Sequence, residues 1–111
     1  MKKRLWIIIG FLLATACSPD IHDLGNLPER YRNSIVHLTG EVTSVMQLPE
    51  AVTTFYMIND GSGQIWVASK KEPPAVGDVL SIEGRFMLSA TIETQNFTFL
   101  VVEQKRQKRG V

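Results

Sequence analysis

Cys17 is the only cysteine in the 111-residue chain and its one strong nucleophile. With no second cysteine it has no internal disulfide partner, and small residues, Ala14-Thr15-Ala16, stand directly before it. The other residue types that do chemistry are sparse. His22 and His37 have no Cys, His or carboxylate at metal-ligand spacing apart from Asp23 beside His22. A zinc site takes about four ligands, so no metal is expected. No Ser/His/Asp or Cys/His nucleophilic set is visible, and the chain reads as non-catalytic and free of cofactors. Asp60, in Asp60-Gly61-Ser62-Gly63, is expected to cap its own turn by accepting from nearby backbone amides. Glu41, Glu83 and Arg85 are expected to point outward and form a cross-strand pair, generally worth under about 1 kcal/mol.

The residues upstream of Cys17 set its context. Lys2, Lys3 and Arg4 give a positive start, and Leu5 to Ala16 form an apolar run. A run of about twelve residues is shorter than the roughly 20 a spanning helix needs. It fits the apolar core of an export signal, with its positive start held on the cytoplasmic side. A free thiol is a liability in an oxidising compartment. The stretch Leu13-Ala14-Thr15-Ala16-Cys17 resembles the lipobox of bacterial lipoproteins. It departs from that pattern at Ala14, where Leu is more usual. The resemblance implies a removable signal peptide over residues 1–16 and a diacylglyceryl group on the Cys17 sulfur, often with a palmitate-like third chain on the new amino terminus. Two or more chains give stable anchoring where one does not. Ser18 stands where an Asp tends to retain Gram-negative members at the inner membrane. In a Gram-negative cell the resemblance therefore implies an outer-membrane address facing the periplasm. The alternative is an ordinary secreted protein cut after Ala16.

Cleavage after Ala16 leaves 95 residues, enough for one domain. Three of the twelve basic residues leave with the signal, so nine remain against eleven acidic ones, a net charge of −2. Four of the nine are Lys105, Arg106, Lys108 and Arg109; without them the balance is −6. Nucleic-acid binders usually present a basic face, so composition weighs against that class.

The elements that position these residues read as strands. Residues 17–33 are a lipidated N-terminus and short tether, punctuated by Pro19, Gly25, Asn26 and Pro28. Leu24, Leu27, Tyr31 and Ile21 could lie on the domain, and one helical turn could begin near Pro28. From Ser34 the pattern alternates. Val36, Leu38, Val42 and Val45 mark a first strand, bent at Gly40. Thr53 to Asp60 is a second, rich in β-branched and aromatic residues, followed by a Gly-rich tight turn. Gln64 to Ser69 is the third. Lys70 to Asp78 contains Pro73-Pro74 and Gly77, a loop and not a helix. Val79 to Leu88 is the fourth strand, with a bend at Gly84, and Asn96 to Glu103 the fifth. Ser89 to Gln95 is either a hairpin loop or, through Ala90-Thr91-Ile92, an extension of the strand. Residues 105–111 are a basic C-terminal tail, either solvated or laid on anionic lipid headgroups.

Five strands with glycine bends predict an all-β fold, a small five-stranded Greek-key barrel over residues 34–104 with a loop in place of a helix between strands three and four. Three stretches resemble the OB-fold superfamily, its tRNA-anticodon and helicase-type members above all. They are Val36-x-Leu38-x-Gly40-x-Val42, Ile58-Asn59-Asp60-Gly61-Ser62-Gly63-Gln64-Ile65-Trp66-Val67 and Val76-Gly77-Asp78-x-Leu80-x-Ile82-x-Gly84. Many members carry the helix that this chain lacks, which predicts a less well plugged barrel end.

Alternation then assigns faces. With Tyr56, Ile58, Ile65 and Val67 inward, Phe55, Met57, Asn59, Gln64 and Trp66 form an outer patch, the candidate face for a ligand or partner. OB-type barrels bind oligonucleotides and oligosaccharides on such a wall, and large exposed apolar patches mark contacts. Intramolecular cover is the competing expectation, by the tether, by the basic tail or by Phe97 and Phe99. Lys70, Lys71, Lys105, Arg106, Lys108 and Arg109 are the candidate anion contacts. The expected partners are membrane lipid through acylated Cys17 and an envelope protein or glycan. Single-stranded DNA or RNA is the alternative.

Overall fold

The computed structural model describes residues 18–47 and 52–109. Residues 1–16, Cys17 and the last two residues lie outside that range, so the signal peptide and the lipidation site are readings of sequence alone. Two short helices, α1 (Ile21–Asn26) and α2 (Pro28–Tyr31), precede five strands: β1 (Ile35–Gln47), β2 (Thr54–Asn59), β3 (Gln64–Ser69), β4 (Val79–Ile92) and β5 (Gln95–Arg109). The strands close a barrel in the order β1-β2-β3-β5-β4. All pairings are antiparallel except β3 with β5, which run parallel over Trp66–Ala68 and Leu100–Val102.

The period-2 pattern of β1 explains the closure. Val36, Leu38, Gly40 and Val42 point into the barrel while His37, Thr39 and Glu41 face water. β4 does the same with Leu80, Ile82, Gly84 and Phe86. The two inward glycines admit close neighbours. A Cβ on Gly40 would collide with the Asn59 carbonyl, and one on Gly84 would meet the Val102 oxygen at 2.5 Å. The strands therefore bend where the sequence has no side chain, as a barrel of this size requires.

The core joins Val36, Leu38, Val42, Tyr56, Ile58, Ile65, Val67, Leu80, Ile82, Phe86 and Val101 with Ile21 and Leu24. The last two belong to the segment read as a short tether whose Ile21 and Leu24 could lie on the barrel. In the structure α1 plugs one barrel end, so the folded unit begins near Asp20 and not at residue 34. Its start is fixed by a capping box: Asp23 N–H donates to the Asp20 carboxylate at 2.8 Å, and Asp20 N–H donates to Asp23 at 3.2 Å. This satisfies two of the orphan donors at a helix start. The Asp60 carboxylate then accepts from the Ile21 amide at 2.9 Å, and the Ser62 hydroxyl from the His22 amide at 3.0 Å. α1 is thereby fastened to the β2–β3 turn.

No helix forms between β3 and β4. The barrel end beneath that loop is closed by side chains. Glu103 and Arg106 enter the barrel side of β5, with side chains only 1% and 14% exposed. The Glu103 carboxylate accepts from the Tyr56 hydroxyl, from Ser69 Oγ at 2.7 Å and from Arg106 Nε at 3.0 Å. Arg106 also donates to the Glu72 carbonyl at 2.7 Å and to Ser69 Oγ at 3.1 Å, and its guanidinium lies 5.3 Å from the Tyr56 ring centre. Burial, reinforced by the Glu103 carboxylate, pushes the Tyr56 hydroxyl well above its ordinary pKa, so it remains a donor. The expected weakness at this end is thus met by a saturated polar cluster that clips the loop to the barrel.

β4 and β5 are longer than expected. They pair from Val79↔Arg109 out to Ile92↔Gln95, with only Glu93 and Thr94 at the tip. Ser89 to Gln95 is therefore mostly strand. Lys105–Arg109 continue β5 against Val79–Glu83 and are not a separate tail.

Candidate functional site

The outer wall of β2 and β3 is where sequence places a ligand face, and its inward and outward phase holds. Tyr56, Ile58, Ile65 and Val67 are in the barrel core. Phe55 and Ala68 lie on the opposite side with Leu100, in a second cluster. That wall is not open as a whole. Phe55 is fully buried, because the distal β4–β5 hairpin folds over it. Ala90, Ile92 and Phe97 pack on the cluster. The Phe97 ring lies 4.7 Å from Phe55 and 6.3 Å, edge-on, from Trp66. Of the covers considered, Phe97 on the arm supplies it, while Lys105–Arg109 pair with β4 elsewhere and the tether packs on the barrel core. Phe99 takes the other side, stacked on Phe86 of the core at 6.0 Å, with its backbone in the left-handed region at φ 67°. That kink sits where the arm leaves the barrel.

Part of the patch stays accessible. Met57, Asn59 and Trp66 are half-buried and Gln64 is exposed; Gln64 accepts from the Thr43 hydroxyl at 3.0 Å. What remains is a strip of Met57 and Trp66 bordered by polar groups.

The arm also creates a cleft of about 420 Å³ at the end of the wall away from α1. Its sides are Thr53 before β2, Ile92 near the arm tip, and Ser69, Lys70 and Lys71 at the end of β3. Ala68, Val102, Gln104 and Glu103 also line it, the Glu103 carboxylate being already bonded to Tyr56, Ser69 and Arg106. The arm tip is tied across the cleft by the Val52 amide, which donates to the Glu93 carboxylate at 3.1 Å. A cleft of this size is in the range that takes a small ligand or a side-chain-sized part of a partner. Its apolar lining and two exposed lysines suit an anionic group carried on an apolar body. Sequence named Lys70 and Lys71 but missed the cleft, because one side comes from the arm, whose Ser89 to Gln95 stretch is open in sequence between a hairpin loop and a strand extension.

The other candidate cations are dispersed. Arg106 is consumed in the buried cluster. Lys108 pairs with Asp78 at 3.4 Å, and Arg109 reaches Ser81 Oγ at 3.5 Å. Lys105 borders a shallow groove of about 440 Å³ on the outer face of β1, β4 and β5, with His37, Thr39, Ser81 and Glu83. There the polar side chains satisfy one another: His37 Nε2 lies 2.9 Å from Glu83 and Thr39 Oγ1 lies 2.8 Å from Ser81. The expected pairing of Glu41, Glu83 and Arg85 is not formed. Glu83 takes His37, and Arg85 donates to the Asn33 carbonyl.

Asp60 caps its turn as expected, accepting from the Ser62 amide at 2.8 Å, the Gly63 amide at 3.2 Å and the Ser62 hydroxyl at 2.6 Å. Burial pushes its carboxyl up, but the Ser62 hydroxyl and the Ile21, Ser62 and Gly63 amides outweigh it and hold the group below its ordinary value. Among the described residues no three His, Cys, Asp or Glu side chains gather as a metal site.

Solved structures share this architecture at low identity. The OBody AM3L09, solved bound to hen egg-white lysozyme, superposes with a TM-score of 0.55 at 15% identity over 71% of this chain and 84% of that one. A protein from Leishmania major Friedlin described as an aspartyl-tRNA synthetase gives 0.58 at 14% identity, over 83% of this chain and 21% of that one. The chain thus spans about a fifth of that protein's length. The fold is OB-type. The Stn1–Ten1 complex of S. pombe gives 0.49 at 11% identity, over 68% and 57%. No family model matches the chain, and no curated protein matches it in sequence.

Proposed function

We propose that this chain is the precursor of a lipid-anchored, non-catalytic binding module of the cell envelope, one whose OB-type barrel holds a partner through the cleft beside Lys70 and Lys71. The cleft carries the reading. It is an amphipathic hollow bounded by four separate segments, with two exposed lysines that make no ion pair among the described residues. The anchor is supported by the basic start, the short apolar run and the small residues before Cys17. The adjoining strip of Met57 and Trp66 extends the contact surface along the wall. A barrel of the same fold bound to a protein, OBody AM3L09 on lysozyme, is consistent with a protein partner.

The test is crosslinking and affinity capture from native envelopes with the wild-type protein, Lys70→Ala/Lys71→Ala and Trp66→Ala. Loss of the same partner from both variants is the expected result. Identical partner sets for all three would count against the cleft.

One observation favours a second reading, single-stranded nucleic acid. Trp66 is a half-buried aromatic on β3, the strand that runs on into Lys70 and Lys71, and bases stack on aromatic side chains while cations hold phosphate. Titrating oligo-dT or oligo-U while following tryptophan fluorescence at low salt decides it. A saturable, salt-sensitive change supports nucleic acid; a flat titration removes it.

A further inference from the structure

We infer that the α1–α2 segment is a membrane-facing surface that seats on phospholipid headgroups, so that the cleft is held on the side of the barrel away from the bilayer. This inference rests on the lipid anchor at Cys17 proposed above. Only Ser18 and Pro19 separate Cys17 from Asp20, the N-cap of α1. Three residue steps span at most about 10 Å. α1 itself is not a flexible spacer. Ile21 and Leu24 are buried in the barrel core, and the Ile21 and His22 amides are bonded to Asp60 and Ser62. A lipid on Cys17 therefore leaves the β2–β3 turn end of the barrel within about 10 Å of the membrane.

The surface at that end has the chemistry of an interface. Leu27, between the two helices, is 49% exposed. Arg30 and Arg32 follow it and are both exposed, one set over the Tyr31 ring at 5.9 Å and the other in an exposed pair with Glu29 at 3.4 Å. A protruding leucine with neighbouring arginines suits insertion into the headgroup boundary with cations on phosphate. Of the carboxylates in the segment, Glu29 is exposed and pairs with Arg32, while Asp20 and Asp23 serve the capping box. One leucine and two arginines bind a bilayer weakly, so the segment sets orientation while the acyl chains supply retention. At the far end of the same hairpin, six residues of β2 and β3 away, stand Thr53, Ser69, Lys70 and Lys71. The anchor and the cleft are thus at opposite ends.

The test uses full-length protein purified from membranes and reconstituted into phosphatidylethanolamine/phosphatidylglycerol vesicles. Asn26→Cys and Lys71→Cys each carry one fluorophore, and nitroxide-labelled lipids in the bilayer quench it. The label at 26 is expected to be quenched at least about twofold more than the label at 71, since quenching by lipid is confined to groups near the headgroup boundary. Leu27→Asp with Arg30→Glu and Arg32→Glu should bring the two labels toward equal quenching. Equal quenching in the parent protein, or stronger quenching at 71, overturns the orientation. Mass spectrometry of the same sample separates the two failures: a Cys17 without acyl chains overturns the anchor itself.

Discussion

The ring of Phe97, on the β4–β5 arm, lies 4.7 Å from the ring of Phe55 on the barrel wall, tilted by 31°. This contact converts an exposed aromatic wall into a small second core. It also positions Ile92 as one side of the cleft. An offset aromatic pair is worth about 0.5–1.5 kcal/mol beyond the area it buries. Phe97→Ala is therefore expected to cost about 2–3 kcal/mol, below the range for a fully buried phenylalanine because Phe97 is half-buried. Denaturant unfolding gives the loss, and hydrogen exchange should speed up in residues 89–98 while β1 keeps its protection. Unchanged exchange in the arm would show that the ring contact does not hold it down.

The buried Glu103–Arg106 pair yields a second prediction. Removing one partner leaves a charge stranded in the barrel, generally a cost of about 3–5 kcal/mol. Arg106→Leu should fall in that range, because Glu103 is 1% exposed, and should also free the Glu72 loop. Glu103→Gln/Arg106→Leu removes both charges and is expected to be less destabilised than the sum of the single changes. A double-mutant cycle measures the coupling; simple additivity contradicts a cooperative cluster.

Gly40 and Gly84 give a third. Each faces into the barrel where another strand's backbone already stands, Asn59 in one case and Val102 in the other. A backbone neighbour cannot rotate away as a side chain can. Gly40→Ala and Gly84→Ala should each lower stability by about 2 kcal/mol or more through overpacking. Gly25→Ala, where a Cβ meets nothing within 4 Å, should be neutral or slightly stabilising in its short helix. Thermal melts of the three variants are the check.

Much of the barrel is legible in sequence, because the first halves of β1 and β4 alternate and one face must be buried. Val36, Leu38, Val42, Tyr56, Ile58, Ile65 and Val67 could be assigned inward from period alone. The Asp60 turn followed from its glycines and its acceptor. The departures share one cause: contacts between segments distant in sequence. Asn96-Phe97-Thr98 is legible as the start of the fifth strand, but Ala90-Thr91-Ile92 is open between loop and strand, and it pairs because β5 supplies its backbone partners and the wall takes its apolar side. Ile21 and Leu24 sit among prolines and glycine and look like a tether until a barrel end is available to receive them. Asp20-Ile21-His22-Asp23 did carry a local signal, the capping box, and could have announced α1. For the inward turn of Glu103 and Arg106 there was none. Two charged residues three apart on a strand look solvated, and it is the loop carbonyl, Ser69 and Tyr56 across the barrel that make their burial tolerable.

The Asp60 carboxylate makes the seating of α1 sensitive to acid. Its hydrogen bonds from Ser62, Gly63 and Ile21 hold its pKa in the folded protein below the ordinary value of 3.8. A depressed carboxylate contributes stability that is fully present above its unfolded-state value and is lost as the pH falls through the lower, folded one. The contribution is therefore constant near neutrality and falls away below about pH 4. Because one of the lost bonds is to the Ile21 amide, α1 should detach from the β2–β3 turn before the barrel unfolds. Exchange of the Ile21 and His22 amides, followed by NMR as the pH is lowered, is expected to accelerate ahead of exchange in β1 and β4. Asp60→Asn keeps an acceptor oxygen but has no proton to gain in that range. It should start with a looser α1 at pH 7 and show no further acid step of its own. An identical acid profile in the variant and the wild type would mean that some other carboxylate governs the detachment, Asp20 and Asp23 of the capping box being the nearest.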